Sequence, residues 1–107
     1  MKTLTRKDEL MLLAILRLGD EASLVKLREL LMEQTGKQWS IGNVFVSLDK
    51  LEEAGFIRAK LGEPSGKRGG KAVKFYRITK LGLRALRQIK ELQDGMWSGV
   101  YDLVFSE

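Results

Sequence analysis

Apolar residues recur along the first half of the chain at the three-to-four spacing of a helix. Thr5-Arg6-Lys7-Asp8 can act as a capping box, its Thr5 hydroxyl and Asp8 carboxylate taking up free N–H groups. Leu10, Leu13, Ala14 and Arg17 then follow the helical period to about Leu18, and Gly19 ends the helix. A second helix is predicted from about Ala22 to Thr35, with Leu24, Leu27, Leu30 and Leu31 inward and Gly36 as its left-handed cap. Ser40 is a good N-cap for a third helix. Its inward stripe is Ile41, Val44, Leu48 and Leu51. At about 100° per residue the opposite face carries Gly42, Asn43, Val46, Asp49 and Lys50. Gly55 closes it.

The period then changes. "FIRAKL" alternates apolar and charged residues, and "AVKFYRI" does so less cleanly, with Val73 and Phe75 on one side and Lys74, Tyr76 and Ile78 on the other. Two strands joined by a glycine-rich loop make a hairpin. Thr79 caps a fourth helix, with Leu81 or Leu83, Leu86, Ile89 and Leu92 inward and Lys80, Arg84, Arg87 and Lys90 outward. Gly95 is expected to interrupt or end it. These elements form one domain over residues 1–95. Residues 96–107, containing "MWSGVYDLVF", form an apolar tail with no partner inside that domain. The order is that of a winged helix–turn–helix, an α+β fold that is mainly α. The exposed half of its third helix fits a major groove about 12 Å wide.

At 107 residues, 44% of them hydrophobic, the chain is one globular domain. It holds no cysteine and no histidine, which excludes disulfides, thiolate zinc sites, thiol nucleophiles and imidazole bases. No cofactor, metal or catalytic residue is expected. The longest apolar runs, such as "LMLLAIL", are far short of a membrane span, and no signal peptide opens the sequence. The expectation is a soluble cytoplasmic protein.

Charge is unevenly distributed. Residues 1–57 are net −1, residues 58–90 carry 11 cations against Glu63 alone, and residues 91–107 are net −4. The basic block implies a polyanion partner. Its glycine-rich loop, "EPSGKRGGKA", is not a nucleotide cradle. Gly62 to Gly66-Lys67-Arg68 is one residue short of a P-loop and lacks the magnesium-binding hydroxyl, and Gly66 to Gly70-Lys71-Ala72 fails similarly. A strand follows the loop, so no helix N-terminus faces a phosphate there.

Two longer stretches, "SIGNVFVSLDKLEEAGFI" and "LGEPSGKRGGKAVKFYRITKLG", resemble the PadR family of bacterial transcriptional regulators. The family's recognition-helix motif falls on Ser40, Gly42, Phe45, Leu48, Leu51, Glu52 and Gly55. Its wing motif falls on Gly69, Gly70, Lys71, Phe75, Tyr76, Ile78, Thr79 and Gly82. The likeness spans about residues 5–92. Phe45 stands where tyrosine is usual, Val46 where proline is frequent, and Lys71 replaces arginine, keeping the charge but not the bidentate geometry. The large C-terminal helical domain of longer members is absent, as in a short-form member. The resemblance implies a homodimer on an inverted-repeat operator, usually repressing, with the last helix as dimerisation helix, often joined by the first. Some short members hold flat aromatic compounds between subunits.

The candidate DNA-binding residues are therefore Ser40, Gly42, Asn43, Ser47 and Lys50 on the third helix and Lys67, Arg68, Gly69, Gly70 and Lys71 in the wing. Asn pairs with adenine and Lys with guanine or phosphate. Ser40 is more useful as a cap. Leu86, Ile89, Leu92, Met96, Trp97 and Tyr101 are the candidates for a dimer interface or an aromatic effector site, while Trp39 and Tyr76 read as packing residues. The alternative function is a winged-helix protein–protein module that binds no specific DNA.

Overall fold

The computed structural model describes residues 4–62 and 72–106. Three helices come first: α1 (Arg6–Leu18), α2 (Leu24–Thr35) and α3 (Ile41–Glu53). Strands β1 (Ile57–Leu61) and β2 (Lys74–Ile78) follow, then α4 (Lys80–Trp97) and a short α5 (Tyr101–Phe105). The expected fold class is the observed one.

Local side-chain chemistry starts the helices. Thr5 forms a full capping box with Asp8, and the hydroxyls of Ser23, Ser40 and Thr79 each accept an N–H from the first turn of α2, α3 and α4. Gly36 ends α2 at φ +67°, the left-handed position anticipated for it.

One core joins these elements. Met11, Leu12 and Ile15 of α1 meet Leu27 and Leu31 of α2, Val44, Leu48 and Leu51 of α3, and Ile57 and Tyr76 of the sheet. Leu13 is left partly exposed, although the helical period places it inward. Strands β1 and β2 are antiparallel, with Ile57 opposite Ile78 and Ala59 opposite Tyr76. The segment ahead of α2 adds to this sheet. Ser23 bridges Phe75, and the Tyr76 N–H donates to the Ala22 carbonyl at 2.9 Å. Arg58 faces Arg77 across the strands, and Arg77 turns to Asp20, 2.8 Å away.

Helix α4 departs from its expected pattern at both ends. Gly82 and Ala85 are buried where leucines were expected, while Leu81 and Leu83 are partly exposed. A Cβ on Gly82 would lie 2.3 Å from the Phe56 carbonyl oxygen, so the close seat of α4 on the strand entry demands glycine. At the other end α4 runs through Gly95 to Trp97, and the break falls at Gly99, φ +82°. The expected boundary at residue 95 thus lies inside a helix, and the tail holds a helix of its own. The last turn of α4, beyond Gln93, and all of α5 bury no residue. The radius of gyration is 16.2 Å, against about 13 Å for a compact chain of this length.

Candidate nucleic acid interface

Helix α3 is held firmly by the turn before it. Arg28 of α2 donates its Nε to the Trp39 carbonyl. Trp39 donates Nε1 to Thr35 Oγ at 3.0 Å, and Thr35 donates in turn to the Leu31 carbonyl at 2.7 Å. Ser40 Oγ accepts the Asn43 N–H at 3.0 Å. Ser40 therefore caps the helix, as its position implied. Below this collar, Val44, Leu48 and Leu51 fasten α3 to the core.

The outward side of α3 carries Gly42, Asn43, Val46, Asp49 and Lys50, all exposed as the helical wheel required. Two residues of α3 lie otherwise than expected. Ser47 is only 8% exposed, because it falls between Val44 and Leu51 on the buried stripe. Its expected contact with DNA is corrected to a place in the packed face. Ile41, expected inward, is instead half exposed on the first turn. Phe45 and Val46 are half exposed on the outward side, 50% and 49%. The helical wheel already sets Val46 on that side, and Phe45 lies at its flank. The wing candidates Lys67, Arg68, Gly69, Gly70 and Lys71 lie outside the described residues.

Tyr76 lies beneath this surface. It is buried in the sheet, as the packing reading held. Burial, with the carboxylates of Glu52 and Asp49 adding to it, pushes its phenol above the ordinary value.

The second candidate group lies on α4 and α5. Leu86 and Ile89 are half-buried against the domain. Leu92, expected inward, is 68% exposed, and Met96 is 72% exposed. Trp97, Tyr101 and Phe105 gather into one aromatic cluster, with ring centroids 4.7 to 6.1 Å apart and much of their surface open. Among the described residues no three metal-ligating side chains come together, and no helix is long and apolar enough to cross a membrane.

Three helices, a two-stranded wing and an α3 presented on its outer edge define a winged helix–turn–helix protein. No family model and no curated protein matches the sequence. Solved structures do. A PadR family transcriptional regulator from Eggerthella lenta superposes at a TM-score of 0.68 and 25% identity, covering 95% of this chain and 87% of that one. A PadR family transcription regulator from Clostridium difficile gives 0.69 at 15% identity, covering 91% and 97%. A transcriptional regulator from Clostridium thermocellum gives 0.67 at 18% identity, covering 94% and 92%. The chain has the fold of PadR family transcriptional regulators over nearly its whole length, in agreement with the resemblance of its two motifs.

Proposed function

We propose that the protein is a homodimeric DNA-binding transcriptional regulator of the PadR type, acting in the cytoplasm as a repressor on an inverted-repeat operator. The observation that carries this reading is the outward side of α3, capped, collared and left bare by its own domain. Asn43 has the chemistry for adenine, Lys50 for guanine or phosphate, and Asp49 for the cytosine amino group. Phe45 and Val46 suit thymine methyl groups. Gly42 lets the first turn approach closely, and Ser40 acts as the cap. The cations of the 67–71 segment are assigned to the flanking phosphates.

The bare apolar side of α4 and α5 supports self-association. Leu92, Met96, Trp97 and Tyr101 are assigned to the interface, with Leu86 and Ile89 at its edge, and the aromatic cluster offers stacking surface for a flat aromatic effector. Two-fold symmetry sets half-sites roughly 10 bp apart.

The test is selection of genomic fragments by the purified protein, followed by titration at rising salt. An inverted repeat should emerge. Its affinity should fall by about 10³-fold or more between 50 and 200 mM salt. No enrichment, or salt-insensitive binding, would sink the reading.

A further inference from the structure

A cleft of about 290 Å³ separates the start of α1 from the α2–α3 turn, bordered by Arg6, Lys7, Thr35, Lys37, Trp39 and Asn43. Three cations from two separate stretches of chain meet there. Charge counted along the sequence hides them, because residues 1–57 are net −1. Among the described residues the neighbouring acids pair with only one of the three, Arg6. Asp8 accepts the Thr5 N–H at 3.0 Å within the cap. Glu9 is buried and accepts from Gln93 at 3.1 and 3.2 Å, while holding one Arg6 nitrogen at 3.2 Å. Among the described residues neither Lys7 nor Lys37 has an ion-pair partner. Lys7 is nevertheless positioned, its ammonium lying 5.4 Å from the centroid of the Trp39 ring. That ring is fixed in turn by Thr35.

We propose that this cleft is a backbone clamp, in which Lys7 and Lys37, aided by Arg6, hold a DNA phosphate strand beside the N-terminal end of α3. The proposal rests on the reading of α3 as the groove helix and names a partner surface for it. Asn43 belongs both to the exposed side of α3 and to the wall of the cleft. A duplex whose base edges reach Asn43 therefore brings its adjoining sugar–phosphate strand to the cleft. A helix in the major groove lies between two such strands. The wing cations are assigned to one wall, and the cleft supplies cations for the other. Contacts of this kind fix register and add affinity without reading sequence.

The experiment compares wild type with a Lys7→Ala/Lys37→Ala double variant on the selected operator at several salt concentrations. Each dimer would lose four phosphate contacts. The slope of log K against log salt should then become shallower by about 3.6 units, at roughly 0.9 per contact. Affinity for all sequences should fall together, leaving the order of preference unchanged. A Lys7→Arg/Lys37→Arg variant should keep the wild-type slope, and thermal melts should show all three proteins equally folded. A wild-type slope in the alanine variant, beside normal wild-type binding, overturns the clamp and leaves the groove helix standing. Loss of preference for the selected site would instead make the lysines base readers and also overturn it. No DNA binding by the wild type removes both readings.

Discussion

Single residues here carry demands that their type alone does not reveal. Gly82 is one. Alanine there would press its methyl to 2.3 Å from the Phe56 carbonyl oxygen and 2.6 Å from Ile78. Neither can retreat without moving the strand entry. Gly82→Ala should cost about 1–3 kcal/mol in denaturant unfolding, the usual scale for overpacking. Gly42 provides the contrast, since nothing lies within 4 Å of its added Cβ. Gly42→Ala should leave the melting temperature at or above wild type. A drop in operator affinity alone would place its cost in the complex. Tyr76 supplies a pH prediction. Its phenol is raised in the folded state by burial and then by Glu52 and Asp49. The folded chain therefore holds this proton more tightly than the unfolded chain does. The associated stability is present below the ordinary tyrosine pKa of about 10 and is lost as pH rises through the folded value. Melts from pH 8 to 11 should fall more steeply for wild type than for Tyr76→Phe. Equal slopes would deny the shift.

At the scale of elements, the joint between α1 and α4 is polar. Glu9 is buried and receives both hydrogen bonds of the Gln93 amide. Removing only the donor leaves the buried Glu9 side chain with Arg6 alone, so Gln93→Met should destabilise by about 1–3 kcal/mol. Replacing both, as Glu9→Met/Gln93→Met, should recover most of that loss, because no buried polar group remains unpaired. A cycle of denaturant titrations reads this directly, and additive losses would mean the two side chains do not depend on each other. The elements differ in how far sequence revealed them. The starts of α1, α3 and α4 were legible because Thr5, Ser40 and Thr79 cap within three residues of themselves, whereas α2, expected from about Ala22, begins at Leu24 behind its Ser23 cap. The end of α4 was not. One interior glycine costs about 1 kcal/mol, too little to stop a helix at Gly95, and the turn waits for Gly99. The small residues under α4 answer to the nearness of Phe56, which no periodicity encodes. Ser47 shows the reverse conflict. The helical wheel groups it with the outward Asn43 and Lys50, yet it packs between Val44 and Leu51 on the buried stripe. The bond from Tyr76 to Ala22 and the cluster of Arg6, Lys7 and Lys37 join distant stretches, so neither leaves a local pattern.

The whole molecule has two faces with different needs. One end, α3 and its neighbours, sets polar side chains and the cations Arg6, Lys7 and Lys37 beside the half-exposed Phe45 and Val46. The other, from Leu92 through Phe105, exposes leucine, methionine, valine and three aromatic rings in one continuous stretch. Isolated apolar side chains on a surface need no explanation, but a contiguous patch of this kind does. If a second copy covers it, charge placed there should separate the subunits while leaving each fold intact, because Leu92 and Met96 touch little of their own domain. Leu92→Glu/Met96→Glu should halve the mass seen by sedimentation equilibrium and keep the helical circular dichroism signal. The same variant should still prefer its half-site, since α3 and its collar are untouched. It should lose the added affinity of the full inverted repeat, because linking two half-sites comes only from the joined pair. Binding to half-site and full-site DNA would then converge. A variant that stays dimeric, or that separates without any change in full-site affinity, would show that α4 and α5 do not set the geometry of the two reading helices.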